Sequence, residues 1–120
     1  MNRRFRLARS ADFVRVRRSG KSFAHPLAVL VTYPSGLPSS RFAFSAGKAL
    51  GSAVHRNRAK RLLREAVRCL LPDVAPGWDV ILIARPPLAG ADHRAVTQAV
   101  AGLLRRAKLM EVDDRPTRDH

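Results

Sequence analysis

The sequence predicts an α+β fold: three helices against a small, mainly antiparallel sheet of about four strands, in the order α-β-β-β-α-β-α. Apolar residues recur at helical spacing over 53–71 and 91–108. Apolar runs with strand character fill 22–33, 41–47 and 78–85, bounded by proline, glycine and serine. A chain of 120 residues and 13.3 kDa fits one compact domain, here 1–111 with a basic arm over 1–9 and a disordered tail over 112–120.

Each element has a local reason. Met1–Arg9 sets Arg3, Arg4 and Arg6 around Phe5 and reads as a mobile arm. Ser10 can cap a short helix with Asp12 in its first turn, and Gly20 ends it; Phe13 and Val16 share its apolar face. Residues 22–33 end in a β-branched run before Pro34, and His25-Pro26 allows a break into two strands. Residues 34–40 form a turn, and Arg41–Gly47 alternates with Phe42, Phe44 and Ala46 on one face. The helix over 53–71 is stopped by Pro72–Gly77. Val80–Ala84 is apolar throughout, as in a central strand, and is closed by Pro86-Pro87 before the last helix.

Charge narrows the function. Lys+Arg 23 against Asp+Glu 9 leaves +14, and arginine supplies 19 of the cations. Counterion release from phosphates rewards such clustering, so a nucleic acid is the expected partner, ahead of a membrane. Residues 1–71 contain 16 basic residues and two acids, Asp12 and Glu65, whereas 72–120 balance. The excess therefore belongs to the N-terminal elements. Cys69 alone excludes a disulfide scaffold, no spacing resembles a zinc site, and no apolar run is long enough for a transmembrane helix or a signal-peptide core. An intracellular, cytoplasmic protein is expected.

At about 100° per residue, helix 53–71 separates into two faces. Ala59, Leu62, Leu63, Ala66, Cys69 and Leu70 fall in one sector, which places Cys69 in the core. Asn57, Lys60, Arg61, Arg64 and Arg68 fall opposite, flanked by Arg56 and Arg58. A merely solvated face would mix signs to gain i,i+4 pairs, but Glu65 is its only acid. Cations crowd the helix start, where the macrodipole opposes each by about 0.3–1 kcal/mol. Phosphates would supply the missing anions.

The run from Gly47 to Ala66, with Lys48, Gly51, Ala53, Val54, Arg56-Asn57-Arg58, Lys60-Arg61, Arg64 and Glu65, strongly resembles the signature of the bacterial ribonuclease P protein family. Arg6-Leu7, Asp12-Phe13, Val16, Gly20 and Ala84-Arg85-Pro86 extend the resemblance over about residues 3–108. The resemblance implies a subunit of a ribonucleoprotein endonuclease that removes the 5′ leader of precursor tRNA. Its chemistry lies in a required catalytic RNA with bound Mg²⁺, and no catalytic or metal-ligating residue is expected in the protein alone. It further implies that Arg56, Asn57, Arg58, Lys60, Arg61, Arg64, Arg68 and Lys48 face the catalytic RNA. Phe13, Arg9 and Arg17 would line a leader cleft formed by the first helix and the sheet. No membrane or protein partner is required. A left-handed β-α-β crossover, as in the second domain of ribosomal protein S5, is implied by the family fold.

The chain departs from the family pattern where Arg17 stands one turn after Phe13 and where Leu30-Val31 lacks an aromatic. A more electrostatic leader grip is expected, because each stacked base contributes about 1–3 kcal/mol. Phe13 is as well suited to a core anchor as to a stacking platform. Phe42, Phe44 and Trp78 read mainly as packing residues, His93 as a first-turn residue, and His55 as either surface or RNA-facing. A structural RNA binder matches the charge but does not require the extended signature. A protein-only nuclease lacks the paired carboxylates, and a helix-turn-helix regulator lacks the second helix.

Overall fold

The structure, a computed structural model, describes residues 3–111; the expected tail over 112–120 lies outside them. The elements are α1 (Ser10–Ser19), β1 (Lys21–Ala24), β2 (Ala28–Pro34), β3 (Arg41–Ala46), α2 (Ala53–Leu70), β4 (Trp78–Ala84) and α3 (His93–Arg106). The strands form one mixed sheet in the order β1-β2-β4-β3. β1–β2 and β2–β4 are antiparallel, while β3–β4 is parallel, because α2 carries the chain back across the sheet between them.

Side-chain alternation in the strands builds three layers. Ala28, Leu30, Val80 and Leu82 pack with Phe42 against Leu63, Val67, Val100, Leu103 and Leu104 of α2 and α3. Val31 and Ile81 face the other way and bury Val16 of α1 together with Leu7. The continuous apolar run in β4 is thus explained by burial on both faces.

Two local expectations change, and the expected stop at Gly20 holds for a different reason. Residues 3–9 are not a free arm: a short helical turn at Arg3–Phe5 leads to a parallel bridge between Arg6 and Phe42, and the Leu7 amide donates to the Phe42 carbonyl at 2.8 Å. The main chain of this segment thereby covers part of the otherwise open edge of β3. Ser10 is the first residue of α1, and Arg9 takes the N-cap position without a side-chain cap bond. Gly20 ends α1 with φ −76°, so its value is not left-handed freedom. A Cβ there would lie 2.5 Å from the Val16 carbonyl oxygen and 2.7 Å from that of Thr32. Glycine is what lets α1 meet β2 this closely.

The break at His25-Pro26 is a tight hairpin in which His25 Nδ1 accepts from the Leu27 amide at 3.0 Å. Asp79, fully buried, receives Nε and Nη2 of Arg41, each at 2.8 Å. Arg41 also lies 3.5 Å from Asp12, which ties α1 to the starts of β3 and β4. The hydrogen bond from Arg41 to Asp79 is the main cause that raises the pKa of the guanidinium. At the end of α3, the Leu109 amide bonds to Leu104 and the Lys108 amide to Arg105, a Schellman closure. Its left-handed position is held by Lys108 (φ 65°), where an L side chain costs about 1–2 kcal/mol relative to the right-handed conformation.

Candidate nucleic-acid interface

The basic helix is positioned by its apolar side. Ala59, Leu63, Ala66 and Val67 are buried, and Leu62 and Leu70 are partly buried against the same core. The buried arc is centred nearer Leu63 than the sequence sector suggested, which leaves Cys69 exposed instead of in the core. Cys69 lies at the edge of that sector, and Val67 takes the inward position.

The opposite side carries the cations. Asn57, Arg61, Arg64 and Arg68 are exposed; Arg56, Arg58 and Lys60 are half-buried at its flanks. Val54, 76% exposed, stands three residues before Asn57 on the same side. Ser52 is the N-cap of α2, its Oγ lies 2.9 Å from His55 Nδ1, and the first turn of the helix contains no acid. The tight entry uses Gly51 at φ 109°, a backbone region open to glycine. Lys48 is exposed on the short turn Lys48–Leu50 just before it.

The cations are not all alike. Arg58 donates through Nη1 to the Ala89 carbonyl at 3.1 Å, which braces α2 against the turn Pro86–Gly90. Arg68 pairs with Glu65, and the hydrogen bond from Arg68 holds the Glu65 carboxyl below its usual range. Arg64 stacks its guanidinium 5.4 Å from the Phe44 ring centroid. No hydrogen bond or ion pair within the described chain engages the side chains of Arg56, Lys60 or Arg61.

Arg64 also opens onto a second feature. A cleft of about 350 Å³ lies between the N-terminal segment, α1, β3 and α2, lined by Arg6, Leu7, Phe13, Ala43, Phe44 and Arg64 among others. Phe13 is half-buried here, packed on the cluster of Leu7, Val16, Val31 and Ile81, so it serves both as anchor and as cleft wall. Arg9 and Arg17 are exposed on α1 and its start, outside this lining. Arg6 and Phe44 are cleft residues that the sequence reading did not select. Their role depends on the parallel contact between 6–7 and β3, which has no local sequence signal. Val31 is fully covered by α1, but Tyr33, two residues on, occupies the same sheet face half-exposed, with Arg15 5.9 Å from its ring centroid. Strand period alone could have identified Tyr33.

The carboxylates nearest these surfaces are engaged by arginine: Asp12 with Arg15 and Arg41, Asp79 with Arg41, and Glu65 with Arg68. Among the described residues no group of three or more His, Cys, Asp or Glu side chains could hold a metal ion. No helix among them is long and apolar enough to cross a membrane.

Comparisons with known proteins point to one family. The family model described as Ribonuclease P matches residues 1–108. The ribonuclease P protein component of Herpetosiphon aurantiacus is 40% identical over 119 residues, covering 99% of this chain and 97% of that protein. That of Caldanaerobacter subterraneus is 36% identical, covering 92% and 95%. Among solved structures, the RNase P protein of Staphylococcus aureus aligns with a TM-score of 0.80 at 30% identity, covering 89% of this chain and 98% of that one. The RNase P protein of Thermotoga maritima aligns at 0.77 and 28% identity, covering 84% and 96%. The acid-poor helix face, the three-layer fold and this full-length similarity converge, and the chain belongs to the ribonuclease P protein family.

Proposed function

We propose that the chain acts as the protein subunit of ribonuclease P by holding two RNAs at adjoining surfaces. The exposed side of α2, with Lys48, binds the catalytic RNA, and the cleft beside it receives the single-stranded 5′ leader of precursor tRNA. The observation that carries this reading is Arg64, which belongs to the basic face and also lines the cleft with Phe13. RNA seated on α2 and a strand seated in the cleft would therefore lie side by side.

Within this reading the residues divide by their contacts. Arg56, Lys60 and Arg61 offer cations uncommitted to hydrogen bonds or ion pairs within the described chain, suited to phosphates. Arg58 acts partly by bracing the helix start. Phe13 and Phe44 provide ring surface in the cleft, and Arg6 and Arg64 supply its charge, so the leader grip combines stacking with electrostatics. Arg9 and Arg17 add charge at the approaches. Mg²⁺ is bound mainly by the RNA, which supplies the hydrolytic chemistry, and the protein raises affinity for substrate.

The test is cleavage of precursor tRNA with Mg²⁺, with and without a bacterial ribonuclease P RNA. Cleavage at the mature 5′ end should depend on the RNA and be stimulated by the protein at low Mg²⁺. Cleavage by nuclease-treated protein alone would overturn the proposal. Replacing Arg56, Asn57 and Arg58 by alanine should weaken assembly with the RNA while the fold persists.

A further inference from the structure

A separate groove of about 360 Å³ lies at the β1 edge of the sheet, where the last turn of α3 meets the end of β2 and the start of β4. Its walls contain three cations, Lys21, Arg106 and Lys108, and two aromatic rings, Phe23 and Trp78; Tyr33 adds its stretch of β2, its ring lying on the α1 face of the sheet. None of its described lining residues is acidic. The cations are interleaved with the rings: Lys21 Nζ is 5.6 Å and Arg106 Cζ 5.9 Å from the Phe23 centroid. Arg106 is also fixed by donating through Nη1 to the Ala24 carbonyl at 2.6 Å.

The linear charge balance of the C-terminal part conceals this site. Over 72–120 the signs cancel, but four of the seven acids lie at 111–119, while Arg105, Arg106 and Lys108 close α3. Folding then brings Lys21, from the basic N-terminal part, to the same groove. Favourable interaction with the α3 dipole accounts for arginines in the last helical turn. It accounts neither for the rings gathered around them nor for Lys108 at a left-handed position that glycine fills best. Backbone strain kept at a charged, groove-lining residue is typical of a binding position.

We propose that this groove is a second single-stranded nucleic-acid site, separate from the α1 cleft, which takes a few nucleotides by stacking bases on Trp78 and Phe23 and pairing phosphates with Lys21, Arg106 and Lys108. Stacking on rings with flanking cations is tolerant of sequence, so the ligand class is unstructured RNA, not a particular motif. The inference rests on the chain being an RNA-binding protein, and its test separates the two ideas.

Trp78 is the chain's single tryptophan and therefore a local reporter. The full-length protein is titrated at low salt with octauridylate, following Trp78 fluorescence, and in parallel with the fluorescein-labelled oligomer, following anisotropy. Saturable quenching is expected. Lys108→Gly, which relieves the backbone strain and so keeps the fold, should weaken the quenching isotherm by about threefold to tenfold and reduce its salt slope by about one. Binding by anisotropy without quenching, or quenching identical in Lys108→Gly, would overturn the groove and leave the proposed function standing. Absence of binding by either readout would count against both. Equal quenching by heparin, which has charge but no bases, would refute stacking.

Discussion

Arg41 and Asp79 make a sharp test of how the fold is held, because removing either partner should have unequal cost. Asp79 is fully buried and accepts two hydrogen bonds from Arg41, whereas the Arg41 side chain is 20% exposed and keeps Asp12 at 3.5 Å. Arg41→Met strands a carboxylate with no exposure, in the category that costs about 3–5 kcal/mol. Asp79→Asn leaves a guanidinium that retains one acidic neighbour and some water, and should cost about 1–3 kcal/mol. At roughly 4 °C per kcal/mol for a chain of this size, the midpoints should fall by about 12–20 °C and about 4–12 °C respectively. Urea and thermal unfolding of both variants measure this order. Replacing the pair together, Arg41→Met with Asp79→Leu, should recover most of the loss, since apolar substitutes of similar volume are often neutral. If Arg41→Met proved milder than Asp79→Asn, the assignment of Asp79 as the buried, dependent partner would be wrong.

Gly20→Ala should destabilise by about 1–3 kcal/mol, since the new methyl meets backbone oxygens that cannot swing aside, and ring signals of Phe13 should shift as α1 is displaced. Glu65 is held charged by Arg68, so its contribution is present above the unfolded-state pKa and fades as pH falls through the lowered folded-state value. Glu65→Gln should therefore flatten the acid limb of the stability profile slightly, and it should tighten RNA binding by freeing Arg68; weaker binding would contradict the shared-charge picture. Cys69 should react with a thiol reagent in the folded protein without denaturant, and protection until unfolding would return it to the core.

Periodicity made much of this legible. The three helices, the central apolar strand 80–84 and the hairpin break at His25-Pro26 follow from local pattern, because each element's burial is written in its own spacing. The error at Cys69 has the same origin as the success at Leu63. A helical wheel gives the width of the apolar arc, but neighbouring elements choose its centre, and here the core draws in Val67. Likewise, the sequence shows arginines and acids but not their pairing. Nothing local marks Asp79 as buried, because its partner is 38 residues away and meets it only through β3–β4 register.

By itself the sequence determined the element order, the charge polarity of α2 and, through its extended signature, the family. These depend on short-range spacing, where neighbours along the chain are neighbours in space. The tertiary structure decided which charges remain available and which surfaces they share. It docked residues 6–7 on β3 to make a cleft with Phe13 and Arg64, and it brought Lys21 to Arg106 and Lys108 across the molecule. Such meetings are set by sheet order and layer packing, so charge summed along the chain hides them.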